Sequence, residues 1–336
     1  AHGLKPNMAF SHEDDFEEKH PETHKTIKTA IKIANPEKFP LSVLTKEFIA
    51  LEKKKLTTAT CRRKEKHIQD FIDYFNDPEI KEITKRKCSD YAYSILKNKD
   101  PANETLRNNI LDIGTLFSWA ENRGYTEYNP FYRLKLPVGR KNAQDRKPWS
   151  DEDIIKFFTS DFINKNEFIA TAISLYTGMR LDEICRLKHK DIFDDLFHIY
   201  EGKTKAASRV VPVHPVLKKI IVSNYSDEKD YILKGLVSGG YDKKRSGNFS
   251  KRHGRTRKKL NFPNGVVFHT LRNTVITKLQ NNLIPLYNIE QIIGHKQKSV
   301  AFGVYSGGLA VKHLREIING ISYGNTIDNL MLNYKI

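Results

Sequence analysis

The sequence has few cysteines and no long apolar run, and these absences exclude several classes of protein. Only three of its 336 residues are cysteine, Cys61, Cys88 and Cys185, and none has the C-x-x-C spacing of a zinc site. Their odd number and wide spacing argue against a disulfide framework and favour a reducing compartment. A run of about eighteen apolar residues and a secretory signal are both missing, so we expect a soluble, cytoplasmic protein without a membrane partner.

Acidic residues are also scarce relative to basic ones, and this imbalance indicates the kind of partner. The chain has 57 Lys and Arg against 40 Asp and Glu, a net charge of +17. The net charge is −1 over residues 1–38, +5 over 39–140 and +13 over 141–336. Because a basic surplus attracts polyanions, it favours a nucleic acid partner. We expect the second and third segments to contact that partner, the third most heavily.

The length predicts two domains, each with a core of its own. Residues 1–38, with the acidic cluster HEDDFEE, form a predicted lead-in or the remnant of an N-terminal segment. Residues 39–136 have apolar side chains at spacings of three and four, which predicts a helical domain. Residues 137–147 are a predicted linker, and 148–336 form a second domain that ends in a tail helix. The first residue is Ala rather than Met, so the sequence leaves open whether a further N-terminal domain is missing from it.

Cap signals divide the first domain into four helices. Thr57, Thr58 and Thr60 are candidate N-caps for the second helix, and Ser89 is a candidate for the third. Gly124 is expected to stop the fourth helix.

The second domain mixes helical and strand patterns, so the predicted fold class is mainly α with a small β-sheet or hairpin (α+β). Ser150 is expected to cap a helix over SDEDIIKFF. NEFIATAISLYTGMRLDEICRL predicts an apolar helix, a Thr-Gly turn and a short second helix. Alternating residues on either side of GKTKAAS predict a β-hairpin with a basic turn. Residues 265–281 and 285–294 are again expected to be helical.

Four short motifs follow one another in the second domain. They are TGMRLDE (177–183), GKTK (202–205), HTLR (269–272) and GHKQKSVAFGVY (294–305). Each is weak alone, but the ordered set resembles the tyrosine recombinases, the family of phage integrases and related site-specific DNA recombinases. The resemblance covers roughly residues 40–320. It implies a helical core-binding (SAM-like) domain and a tyrosine-recombinase catalytic domain that form a C-shaped DNA clamp.

The same resemblance assigns a role to individual residues. It implies that Tyr305 is the nucleophile and that Glu183 holds an active-site arginine in place. The other implied catalytic residues are two arginines, a hairpin lysine and two histidines: Arg180, Arg272, Lys203, His269 and His295. Lys205 is the competitor of Lys203 for the lysine role. The interval from His295 to Tyr305 is one residue longer than the commonest family spacing.

These residue types suit the cleavage of a phosphodiester. A tyrosine hydroxyl has a pKa of ~10, so it needs a proton acceptor, a role open to His269. Two guanidiniums can hold the extra negative charge of a pentacoordinate phosphate, and a lysine can protonate the leaving 5′ oxygen. The phosphotyrosine bond conserves the energy for rejoining, so we expect neither metal, ATP nor another cofactor.

A basic segment, residues 243–259, is the strongest predicted DNA contact. It has nine Lys or Arg and no acid, and charges this dense favour a facing polyanion over a solvated loop. CRRKEKH (61–67) and TKRK (84–87) are candidates for the other face of the duplex. The named DNA-contact candidates are Lys205, Lys243, Lys244, Arg245, Lys251, Arg252, Arg255, Arg257, Lys258, Lys259, Arg62 and Arg63.

The resemblance also implies partners. It implies double-stranded recombination sites, four protomers that exchange strands through a Holliday junction, accessory DNA-bending proteins and a bacterial nucleoid location. LAVKHLREIINGI is then a helix that docks either on a neighbouring protomer or on its own domain. The sequence does not decide whether residues 321–336 act as a tether or as an inhibitory segment.

Every motif residue also has an ordinary structural interpretation, such as a surface ion pair or a solvated turn. The leading hypothesis is the integrase of a phage or another mobile element. The alternatives are a catalytically silent DNA-binding regulator, a housekeeping chromosome-dimer resolvase and a type IB topoisomerase. The intact set of six catalytic residues argues against the silent regulator.

Overall fold

A computed structural model describes five stretches of the chain: residues 39–138, 146–200, 208–225, 227–295 and 309–333. The chain divides into two compact units, which we call unit 1 (Ala1–Asn142) and unit 2 (Ala143–Ile336). The predictions for the lead-in, the GKTK motif with Lys203 and Lys205, and Tyr305 lie outside the described residues. Within the described stretches, no helix combines the length and the apolar character of a membrane span.

Unit 1 is helical, as its periodicity predicts. Its helices are α1 (Leu41–Glu52), α2 (Thr58–Phe75), α3 (Lys85–Lys99) and α4 (Asn103–Asn122), with a 3₁₀ turn at Ile80–Glu82. Phe71 and Phe117 are completely buried between these helices, and Phe71 makes edge-on contacts with Tyr91 and Phe131. Helix α4 ends before Gly124, as predicted. The apolar faces at helical spacing thus form one core.

One of the two cap predictions in unit 1 is confirmed and the other is wrong. Thr57 caps α2, because its hydroxyl accepts a hydrogen bond from the backbone N–H of Thr60 at 3.4 Å. Helix α3 is capped by Thr84, which accepts from the N–H of Lys87 at 3.3 Å, rather than by Ser89. Ser89 lies inside the helix, where the backbone N–H groups already have intrahelical acceptors.

Unit 2 contains most of the motif residues. Its elements are α5 (Asp151–Phe158), α6 (Lys165–Thr177), α7 (Leu181–Arg186), β1 (Ile192–Phe193), β2 (Leu196–Ile199), β3 (Arg209–Pro212), α8 (Pro215–Ser223), α9 (Ser246–Lys259), α10 (Leu271–Asn281), α11 (Leu286–Ile293), α12 (Val311–Asn319) and α13 (Asn325–Leu332). Ser150 begins α5 with the predicted capping box. Helix α6 is central, since every residue from Glu167 to Thr177 is buried.

The predicted hairpin is confirmed by its two strands. β2 and β3 are antiparallel, with Ile199 opposite Arg209, so the GKTK motif lies in the connection between them. A third strand, β1, pairs with β2 and completes a sheet in the order β1-β2-β3. Sequence patterns do not reveal β1, because two residues are too few for a period.

The basic segment 243–259 is mostly helical. Helix α9 buries Phe249, His253 and Thr256, which recur at spacings of four and three, while basic residues occupy the positions between them. An amphipathic helix therefore explains the segment better than a loop does. The charge run conceals this pattern, since only a few apolar residues mark the buried face.

The tail helices pack on unit 2 itself. Leu314 and Ile318 of α12, and Ile327 and Met331 of α13, belong to the same core as α6. The Tyr176 hydroxyl of α6 donates a hydrogen bond of 2.5 Å to the Asp328 carboxylate. The sequence left two docking sites open for the tail helix, a neighbouring protomer or its own domain. In the structure this helix packs on its own domain.

His253 links the stability of unit 2 to pH. Its ring is only 1% exposed and lies among aromatic rings that include Trp149, Phe157 and Phe268. Within the described residues its Nε2 atom has no hydrogen-bond partner. Burial, together with the nearby charge of Arg257, lowers the pKa of His253 to about 3. The folded protein therefore keeps this histidine neutral over most of the acid range.

We expect His253→Phe to make the stability of unit 2 less sensitive to acid. The unfolded chain protonates His253 near pH 6.5 and the folded chain does not, so the free energy of unfolding falls as the pH drops below 6.5. This one group contributes a slope of up to about 1.4 kcal/mol per pH unit. Urea unfolding at pH 7 and pH 5 measures it. His313→Gln, at an exposed histidine, should keep the wild-type slope, and equal slopes in all three proteins would refute the prediction.

Candidate active site

Arg180 lies at the start of α7, where the TGMRLDE motif turns out of α6. Gly178 ends α6 in the left-handed region at φ +67°, and a Cβ there would lie 3.2 Å from Ile293. The Arg180 guanidinium donates to the Glu183 carboxylate at 2.7 Å and to the Gly294 carbonyl at 2.9 Å. Its side chain keeps 34% of its surface exposed. Arg180 is therefore held from two sides and still reaches solvent.

Arg272 is the more deeply buried of the two motif arginines. It is in the first turn of α10 and only 2% exposed. Its Nη1 donates to the Gly178 carbonyl at 2.7 Å, but its Nη2 has no acceptor within the described residues. Burial and the charges of Arg180 and Arg209, opposed by Glu183, lower the pKa of Arg272 to about 9. A buried guanidinium that remains charged near pH 7 and has an unused donor is suited to bind an anion.

Both motif histidines lie at the surface beside these arginines. His269 is in the 3₁₀ turn Phe268–Thr270 that precedes α10, and His295 directly follows α11 and Gly294. Partial burial, then the charges of Arg272 and Arg180, lowers the pKa of each histidine below its ordinary value. Near pH 7 the two rings are therefore neutral, and each can accept a proton or donate a hydrogen bond.

The structure adds one arginine that sequence reasoning missed. Arg209, the first residue of β3, donates to both carboxylate oxygens of Glu183, at 3.1 and 2.9 Å. Its Nε donates to the Ile292 carbonyl at 2.8 Å, and its side chain is only 6% exposed. A charged residue that opens the apolar run RVVPV was the available signal. It indicates a buried ion pair but does not reveal the partner.

The predicted DNA-contact residues of α9 separate into exposed and engaged side chains. The segment's exposed members are Lys243, Lys244, Lys251, Arg252, Arg255, Lys258 and Lys259. Arg252 also donates to the buried Glu167 carboxylate at 2.9 Å. Arg257 is partly buried, and its guanidinium donates to the Val266 carbonyl. Arg257 thus faces the protein rather than solvent.

Arg245 requires a correction, because it is a structural residue. Its guanidinium donates to the backbone carbonyls of Cys185, Leu236 and Leu233 at 2.8 to 2.9 Å. It also lies 3.6 Å from the centre of the Tyr231 ring. These contacts join three parts of unit 2, so we remove Arg245 from the DNA-contact set.

In unit 1, Arg62 and Arg63 are both exposed on α2. Arg63 makes a two-point ion pair with the buried carboxylate of Asp112, at 2.9 and 3.1 Å. Half of its side chain remains exposed, so a phosphate can still approach it.

Within the described part of the chain, His, Cys, Asp and Glu side chains form no group that could hold a metal ion.

Comparison with known proteins identifies the family of the domain that contains the motif residues. Residues 152–307 match the model of the phage integrase family. The chain therefore carries a domain of the phage integrase family, and it is similar to tyrosine recombinases. It is 25% identical over 253 residues to a tyrosine recombinase of Thermosipho africanus, a match that covers 71% of this chain and 86% of the relative. It is also 25% identical over 159 residues to the integrase of Enterobacteria phage P21, covering 46% of this chain and 40% of that one.

Solved structures of two integrases have the same fold. A lambda integrase dimer bound to a COC′ core site matches with a TM-score of 0.63 at 16% identity, over 89% of this chain and 87% of that chain. The Tn1549 transposon integrase in complex with circular intermediate DNA matches with a TM-score of 0.64 at 19% identity, over 83% of this chain and 98% of that chain. The mainly α fold with a small sheet is thus shared with these two integrases.

Proposed function

We propose that the protein is a site-specific recombinase that cuts and rejoins DNA through a 3′-phosphotyrosyl intermediate and a Holliday junction. The observation that carries the proposal is the Nη2 donor of Arg272, which has no acceptor among the described residues and is buried beside Arg180 and two neutral histidines. A buried cation with a free donor is costly unless an anion binds there. The scissile phosphate supplies that anion.

The proposed chemistry gives each residue one task. The Tyr305 oxygen attacks the phosphorus and passes its proton to His269, while the bond from phosphorus to the 5′ oxygen breaks. Lys203 donates a proton to that leaving oxygen. Arg180 and Arg272 hold the non-bridging oxygens as their negative charge grows, and His295 donates a hydrogen bond to the same phosphate. Attack by a 5′ hydroxyl of the partner strand reverses these steps and releases Tyr305.

The exposed face of α9 is the proposed phosphate contact of unit 2. Lys251, Arg255 and Lys258 follow one another at spacings of four and three, so they lie on one side of the helix, opposite the buried Phe249 and His253. Contacts of this kind fix the position of the duplex without reading its sequence. In unit 1, Arg62 and Arg63 are the corresponding proposed contacts.

Replacing Lys251, Arg255 and Lys258 together by Ala should weaken binding to all duplexes alike. Each lost phosphate contact releases about one counterion fewer, so the slope of log K against log salt becomes shallower by about three. Binding titrations at several salt concentrations measure this slope. A charge-conserving triple variant, Lys251→Arg, Arg255→Lys and Lys258→Arg, should retain it. A slope that the alanine variant does not change would remove α9 from the interface.

We assign the recombinase to a phage or another mobile element, for integration or excision. The similarity to the phage P21 integrase supports this assignment. A chromosomal role is the second candidate, since a tyrosine recombinase XerA of Pyrococcus horikoshii is 27% identical over 183 residues, covering 52% of this chain and 62% of that one. Assembly as four protomers is supported by the fold shared with a lambda integrase tetramer bound to a Holliday junction, which has a TM-score of 0.63.

A nicked suicide substrate tests the proposed activity. The purified chain is incubated with DNA from the ends of the element, in which the nick lets the cut fragment diffuse away and traps the covalent intermediate. A protein–DNA adduct on a denaturing gel is the expected result. Tight binding without an adduct favours the silent regulator, and relaxation of plasmids that lack a site favours a topoisomerase.

A further inference from the structure

Arg209 joins three of the segments that form the candidate site, because it belongs to one of them and contacts the other two. It lies on β3, directly after the hairpin connection that contains Lys203. Its guanidinium binds Glu183 of the TGMRLDE motif and the Ile292 carbonyl at the end of α11. Its side chain also lies against Gly294, where an added Cβ would come within 2.7 Å of Nη1. One side chain therefore joins the hairpin, the arginine turn and the turn that presents His295.

We propose that Arg209 is a positioning residue for strand cleavage. It fixes Glu183 and the Gly294 turn so that Arg180 and His295 can contact the same phosphate. The inference rests on the proposed function. Glu183 links the two arginines, because its Oε1 accepts from both Arg180 and Arg209. Arg180 in turn donates to the Gly294 carbonyl, which closes a ring of contacts around the turn.

The geometry requires an arginine at this position. A planar guanidinium can bind two carboxylate oxygens and a carbonyl at once, whereas the ammonium group of lysine is a point charge without this fork. Glu183 and Arg209 are almost completely buried, with side chains 4% and 6% exposed. Loss of either partner leaves a buried charge with one fewer counter-ion. Gly294 has φ +67° and faces Arg209, so that turn has no room for a side chain.

Arg209 also controls the charge of Glu183. Burial alone raises the pKa of this carboxylic acid, but the hydrogen bond and charge of Arg209, followed by the backbone and side-chain hydrogen bonds from Arg180, outweigh burial and lower the pKa. Glu183 therefore stays ionised and offsets part of the positive charge around Arg272. Without Arg209, its pKa should rise and Glu183 should become protonated at a higher pH.

The test compares Arg209→Met, Arg209→Lys, Glu183→Gln and the double variant Arg209→Met/Glu183→Gln. Adduct formation is timed on the suicide substrate at saturating DNA, and DNA affinity and unfolding temperature are measured in parallel. Arg209→Met should slow adduct formation by about 10- to 100-fold, the usual cost of losing a partner that orients an active-site ligand. DNA affinity should change less than threefold. Arg209→Lys should recover part of the rate.

Two readouts separate positioning from general stabilisation. The rate of Arg209→Met should fall on the acid side at a higher pH than the wild-type rate, because Glu183 then protonates sooner. The double variant should be no slower than the slower single variant, since both changes break the same contact. Arg245→Met is the matched control, because it removes another arginine that joins segments of unit 2. It should lower the unfolding temperature without shifting the pH profile.

Each outcome gives a decision. Wild-type adduct rates for Arg209→Met at saturating DNA would overturn the inference and leave the proposed function intact. If Arg209→Met does not fold, Arg209→Lys decides, and a wild-type rate and pH profile for that variant would equally overturn it. No adduct from the wild-type chain would instead count against the proposed function, independently of Arg209.

Discussion

Replacing Tyr305 by Phe abolishes adduct formation and leaves DNA affinity within about twofold: this is the largest effect that we expect. Phe retains the ring and lacks only the oxygen that attacks phosphorus. In the proposed mechanism the arginines and histidines of the cluster bind and polarise the phosphate, and none of them is the nucleophile. Loss of a catalytic nucleophile lowers turnover by orders of magnitude, here on the order of 10³-fold or more.

The suicide-substrate gel measures this loss, with Tyr225→Phe as the matched control. Tyr225 is an exposed tyrosine of unit 2, and its replacement should leave the adduct unchanged. A Tyr305→Phe variant that still forms the adduct would show that another side chain attacks DNA. A variant that loses DNA affinity together with the adduct would instead indicate that Tyr305 contributes to binding.

The second large effect is expected at Arg272. Arg272→Ala should slow adduct formation by about 10²–10³-fold, the typical cost of removing one preorganised donor from a developing oxyanion. We expect a large effect because this guanidinium is buried, is fixed by the Gly178 carbonyl and keeps one donor without an acceptor among the residues that the structure describes. DNA affinity should fall much less, because the proposed phosphate contacts of α9 and of unit 1 remain in place.

Arg272→Lys distinguishes charge from geometry at the same position. A lysine restores a positive charge but cannot reach the Gly178 carbonyl and a phosphate oxygen with one planar group, so we expect only partial recovery. Single-turnover adduct rates at saturating DNA provide the measurement. Wild-type rates for Arg272→Ala, with the protein folded and DNA bound, would exclude Arg272 from the phosphate site.

The helices and the hairpin could be predicted because their signals are local. The apolar spacing of α2 and α6, the capping box at Ser150 and the paired strands on either side of GKTKAAS each depend on residues that are neighbours in sequence. The motif order likewise predicted the approach of Arg180, Arg272 and the two histidines, through resemblance to a family. Local patterns thus account for most of the fold class.

The long-range partners of charged side chains could not be predicted. Arg209 binds Glu183, 26 residues away, and Arg245 binds the Cys185 carbonyl, 60 residues away. The apolar run after Arg209 indicates a buried ion pair and Arg245 resembles a surface charge, but in neither case does the sequence identify the partner, which packing alone reveals. Helix α9 was concealed for a similar reason, because its charge run masks the few buried residues that define its inner face.

The central claim, that Tyr305 becomes covalently joined to DNA, is tested most directly by peptide mapping of the trapped adduct. The suicide-substrate complex is digested with a protease and a nuclease, and the residual nucleotide is located on the peptides by tandem mass spectrometry. We predict a nucleotide-modified peptide from the GHKQKSVAFGVY segment with the modification on Tyr305 and its phosphate attached through the 3′ oxygen. A modification on any other residue, or an attachment through the 5′ oxygen, would contradict this account.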